Sequence, residues 1–190
     1  MYDNSYDLEY LQIGVEEIED YLLSEELFWP VSGRPSSGRP FFLKMTIGNL
    51  LLSERNLATL LSDQLLSASE EHRFLAMQRQ FEVVRSKWQV AWGDKASREY
   101  QSRFNQWMRT LEELKGDRYQ NAPYYQNEVR VRVLLDLLAD HVPAESRLDL
   151  APFDAVLRKI FKSGAFIWED TLATGFPQER YWYLYGGVRR

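Results

Sequence analysis

The stretch FLAMQRQFEVVRSKWQVAWGDKASREYQSRFNQWMRTLEEL, residues 74–114, decides how this chain folds. Apolar residues stand at Phe74, Met77, Phe81, Val84, Trp88, Trp92, Ala96, Tyr100, Phe104, Trp107, Leu111 and Leu114. Every step between them is three or four residues, and the mean is about 3.64, the period of a straight α-helix. The stripe keeps its phase across Gly93 and Asp94, which would otherwise read as a helix stop and a fresh N-cap. A true loop has no reason to preserve phase. The pattern therefore predicts one long helix over about 70–115, kinked or straight. At ~1.5 Å per residue it would run roughly 65 Å, against a radius of gyration near ~16 Å for a compact domain of this size. Such a helix must project or pack against a second copy, so a homodimer is expected.

Working outward, Leu8, Leu11, Val15, Ile18 and Leu22 recur at three and four residues and predict a helix over about 6–27. Prolines at 30, 35 and 40 then break the chain, and Ser-Gly-Arg-Pro occurs twice. Residues 28–45 read as a loop or flap. Thr46 is a candidate cap for a helix over about 47–65. Pro123 sits near the start of a fourth helix, about 122–141. A fifth is expected over about 150–163, with Gly164 as its stop. Residues 165–190 carry little helical period and read as an extended aromatic tail packed on the bundle. The expectation is an all-α chain: one domain over 1–190, about five helices, one of them long.

The bulk numbers suit a single globular chain of 190 residues with 45% hydrophobic and 27% charged residues. The net charge of −5 is uneven: the first thirty residues hold nine acids and no Lys or Arg, and the remainder is mildly basic. The acidic segment is expected to pack on the body with complementary sign, or to meet a basic partner. The body is too weakly basic to hold a phosphate backbone by charge alone, so nucleic acid is an unfavoured partner. No transmembrane run is present. The acidic start and the absence of cysteine point to the cytoplasm, and exclude disulfides and thiolate chemistry.

The common catalytic patterns are missing from the sequence: no Walker loop, no Gly-x-Gly-x-x-Gly, no Gly-x-Ser-x-Gly and no Ser-x-x-Lys. The two histidines, His72 and His141, cannot build a three-histidine metal site, and neither lies in Glu-x-x-His. Glu16, Glu19 and Asp20 share a helix face with Glu17 nearby, which a solvated surface explains better than a metal site. Glu128 with Arg130 and Arg132 could form an acid–base group on a Leu-rich helix, though ion pairing is the simpler reading. No cofactor is implied.

The aromatic residues remain. Trp88, Trp92, Tyr100 and Trp107 on the stripe, with Tyr181, Trp182, Tyr183 and Tyr185 in the tail, form the candidate interaction surface. Aromatics at helical spacing also serve as core. The tail is open to three readings: core, partner-docking strip, or membrane foot. At LFWPVSG (27–33) and RYWYLYG (180–186) the chain resembles an uncharacterised family of small bacterial helical proteins. That resemblance implies a mostly helical, cytoplasmic, bacterial protein and transfers no catalytic residues. The functional expectation is a non-catalytic interaction or scaffold protein that self-associates. The alternatives are a small-molecule- or cofactor-binding protein or enzyme with a pocket between helices, and a nucleic-acid-binding regulator.

Overall fold

A computed structural model describes residues 3–189. The chain is mostly helical. It divides into two compact units, Met1–Glu99 and Tyr100–Arg190.

In the first unit, α1 (Ser5–Leu23) packs on both α2 (Ile47–Ser62) and α3 (Ala68–Lys87). The apolar face of α1 is covered largely as its spacing predicts, with Leu8, Leu11, Ile18 and Leu22 buried and Val15 half-buried. Gly14 permits the close approach: a Cβ there would stand 2.6 Å from Leu50 Cδ2 and 3.1 Å from Phe81 Cζ. Thr46 does cap α2, its hydroxyl accepting from the Asn49 N–H at 3.1 Å. Ser67 and Glu70 form a reciprocal capping box at the start of α3.

Residues 28–45 are fastened down rather than free. Trp29 and Met45 exchange backbone hydrogen bonds of 3.0 and 2.8 Å. The acidic face of α1 holds the rest of the loop. Glu17 accepts from Trp29 Nε1 at 2.7 Å and Ser32 Oγ at 3.2 Å, and Glu9 accepts from the Ser36 N–H at 2.9 Å. Glu19 pairs with Lys87 at 2.9 Å. Lys95 donates to Ser24 Oγ at 3.3 Å and to the Glu26 carbonyl, placing a cation at the C-terminal end of α1. Glu9, Glu17 and Glu19 thus serve to tie this unit together.

The long helix is two helices. α3 stops at Lys87, Trp88 leaves helical geometry at φ −114° and ψ 36°, and α4 (Gln89–Gly116) begins at once. The phase survives because the ladder nearly does. Trp88 N–H donates to the Val84 carbonyl at 2.8 Å, and Trp92 N–H donates to the Trp88 carbonyl at 2.9 Å. Gly93 lies inside α4, with open space where a Cβ would be.

In the second unit, the rest of α4 is followed by α5 (Arg118–Asn121), α6 (Tyr125–Glu128) and α7 (Arg130–Ala139). The expected single helix over 122–141 is therefore broken up. Pro123 sits in a 3-10 turn at Ala122–Tyr124 instead of opening a helix. α8 (Ala151–Ile160) runs straight into β1 (Phe161–Phe166), which pairs antiparallel with β2 (Tyr185–Val188). The described residues therefore contain eight α-helices, not about five, and a small sheet makes the chain mostly helical instead of all-α. Gly164 lies within β1, at an irregularity of the ladder, and does not end a helix. The tail is likewise no continuous extended strip: 3-10 turns occupy Asp170–Gly175 and Trp182–Leu184 before β2.

Candidate functional site

The strand pair organises the aromatic residues of the second unit. Phe161 faces Val188, Lys162 faces Gly187, and Ser163 faces Gly186. The register then shifts before Phe166 meets Tyr185. Gly186 carries φ +138°, and a Cβ there would fall 2.1 Å from the Lys162 carbonyl oxygen, so only glycine lets the strands close. Closure gathers Phe166, Trp168, Phe176, Tyr181 and Tyr183 into a chain of mostly edge-on rings. Phe176 meets Tyr181 at 5.2 Å and Trp168 at 5.4 Å. Each such pair adds about 0.5–1.5 kcal/mol beyond the burial of its area.

A polar network lies against these rings. Arg132 is 5% exposed. Its Nε and Nη2 each donate to Asp154 at 3.0 Å, and its Nη1 donates to Asp136 at 2.6 Å. Its guanidinium also lies 4.8 Å from the Tyr183 ring centroid. Tyr183 donates its hydroxyl to Asp136, and Tyr125 donates to the Tyr183 carbonyl at 2.7 Å. Burial alone would weaken protonation of Arg132, but the hydrogen bonds to Asp154 and the surrounding negative charge outweigh it and raise its pKa. Burial, reinforced by the Asp136 carboxylate, pushes the Tyr183 phenol well up, and burial does the same for Tyr125.

These raised phenols give stability an alkaline limit. Above about pH 10 the unfolded chain gives up phenolic protons that the folded chain keeps. Stability is then full below the unfolded pKa and falls as pH rises, by about 1.4 kcal/mol per pH unit for each such tyrosine. Urea midpoints should drop between pH 9 and 11, and Tyr125→Phe should flatten that drop. A flat profile in the unaltered chain would contradict the burial of these hydroxyls.

Beside the network the surface opens into a cleft of about 400 Å³, lined by Arg158, Phe161, Ser163, Gln178, Glu179 and Trp182. The Arg158 guanidinium lies 3.7 Å from the centroid of the Trp182 ring, and Phe161 meets the same indole edge-on at 5.3 Å. Trp182 is half-buried and Arg158 exposed, so a stacked cation and aromatic face solvent.

The eight aromatic candidates separate by burial. Trp92, Tyr100, Trp107, Tyr181 and Tyr183 are covered by the chain itself, while Trp88, Trp182 and Tyr185 are half-buried. Of these, only Trp182 lines the cleft. Arg132 forms ion pairs, the simpler of the two readings of its sequence, with Asp136 and Asp154 as partners, while Glu128, the acid of the alternative acid–base group, is exposed. Asp136, Asp154 and Arg158 went unnoticed, although Arg132–Asp136 and Asp154–Arg158 both carry i, i+4 spacing of opposite charges. His72 is exposed and His141 half-buried, and the acids at 16, 17, 19 and 20 serve different partners or face solvent. Among the described residues no group of three or more His, Cys, Asp and Glu is placed to hold a metal ion, and no helix is long and apolar enough to cross a membrane. Comparison of the chain with protein-family models, curated proteins and solved structures found no match.

Proposed function

We propose that this chain is a non-catalytic interaction protein that engages another protein through the Trp182 cleft. The observation that carries the reading is the stacked pair at the cleft, Trp182 under Arg158. Tryptophan and arginine dominate binding energy at protein interfaces when they line or fill a concavity. Arg132, Asp136 and Asp154 are spent on one another, and Asp136 also holds the Tyr183 hydroxyl of the tail. Self-association through the long stripe is not part of the proposal, since Trp92, Tyr100 and Trp107 are covered by the chain itself. The absence of cysteine suits a reducing compartment.

Selection of peptides from a displayed library tests this reading. Enrichment on the unaltered protein that falls at least tenfold on folded Trp182→Ala and Arg158→Ala supports it. No enrichment, or enrichment indifferent to both changes, overturns it. A cleft of about 400 Å³ also lies within the range of small-ligand pockets, about 300–1,000 Å³. That second reading predicts thermal stabilisation by small molecules, again lost with Trp182→Ala.

A further inference from the structure

We propose that the segment received beside this cleft is an acidic, extended peptide that adds to the outer edge of β1 as a third strand. The inference rests on the interaction reading above and names the partner's chemistry.

Two independent observations lead to it. The first is the edge. Among the described residues β1 pairs with β2 alone, in a sheet of two strands. A strand paired on one side leaves a row of N–H and C=O groups on the other, and such a row is a template for another chain. Residues Lys162, Ser163, Gly164 and Ala165 are all exposed, and Phe161 and Ser163 of the same strand line the cleft. An added strand places alternate side chains on one face at about 3.3 Å per residue, so one side chain can enter the cleft while its backbone bonds to the edge.

The second is charge. The net charge of the whole chain is −5, yet the residues around the Phe161 end of this edge are cationic. Arg158 and Lys159 lie in the last turn of α8, and Lys162 lies on β1. All three are exposed; Glu179 is the one acid lining the cleft, and Glu169 and Asp170 lie past the other end of β1. Acidic residues flanking the seated side chain would meet complementary potential there, which favours encounter and selects against basic segments. A nucleic acid could use the same charges, but its phosphates only accept hydrogen bonds and would leave the C=O groups of the edge unpaired.

Four labelled probes test the proposal by fluorescence anisotropy. They are a short peptide alternating glutamate with leucine and phenylalanine, its lysine twin, a version with prolines at alternate positions, and a single-stranded oligothymidine. The acidic peptide should bind at least tenfold more tightly than the lysine twin and the proline version. Its affinity should fall with added salt and fall about tenfold in Lys162→Glu. Its binding should also shift and protect the backbone amides of residues 162–165 in amide NMR spectra. Equal binding of the lysine twin overturns the proposal, as does displacement of the acidic peptide by the oligonucleotide. If peptides perturb Trp182 but leave the β1 amides unchanged, the cleft reading stands and the edge reading falls. Failure of every probe also overturns the edge reading, while the library selection independently decides whether the cleft takes a partner.

Discussion

Replacing Arg132 by alanine is expected to lower the stability of the second unit by about 3–5 kcal/mol, the cost of stripping one partner from a buried ion pair. The side chains of Asp136 and Asp154 are only 16% and 20% exposed, so neither carboxylate can recover full hydration when the guanidinium goes. The Tyr183 ring loses its cation as well. Urea unfolding followed by far-ultraviolet circular dichroism measures the effect. The matched control is Arg132→Met with Asp136→Leu and Asp154→Leu, which removes all three charges together. That triple change should recover part of the loss, and adding Tyr183→Phe, which removes the hydroxyl that Asp136 accepts from, should recover more, because the penalty lies in unpaired buried groups and not in missing attraction. A loss below about 1 kcal/mol for the single alanine would mean the group behaves as a surface pair.

Gly186→Ala is expected to cost about 3 kcal/mol or more, from two sources. An L side chain at φ +138° is strained by about 1–3 kcal/mol. The new methyl would also stand 2.1 Å from the Lys162 carbonyl oxygen and 2.9 Å from Ser163 Cα, both backbone atoms that cannot step aside. The next residue supplies the control: a Cβ on Gly187 meets nothing within 4 Å, and Gly187→Ala should cost less than about 1 kcal/mol. If the two substitutions prove equal, the closure of β1 on β2 does not have the geometry described. The same variant should also disturb the cleft, since Phe161 and Ser163 reach it from β1.

Helical period was the most legible signal in this sequence. The buried faces of α1, α3 and α4 follow the spacing that predicts them, because a 3.6-residue repeat reports burial directly. The break at Trp88 was hidden for the same reason: one residue can leave helical geometry while the hydrogen bonds on either side hold the phase. The helix runs through Gly93 as the unbroken phase predicts, because glycine signals an end only where the backbone turns left-handed, and here it lies in a helix interior. The sheet was illegible for a different reason. β1 and β2 are short and about twenty residues apart, and one of them carries two glycines and no alternation. The candidate site was half legible. Arg132 and Trp182 stood out by type, but Asp154 and Arg158 come from another helix, and only the tertiary fold brings them to their partners.

The lateness of β2 in the chain has a consequence for synthesis. Phe161 gains the Trp182 ring, and the Tyr125 hydroxyl its Tyr183 carbonyl partner, only when the last residues of the second unit are in place. Until then a nascent chain displays bare aromatic surface and an unpaired strand, the condition under which chains stick to one another. A chain stopped before residue 181 should therefore be recovered as aggregate in larger part than the full chain, and added chaperone should relieve it.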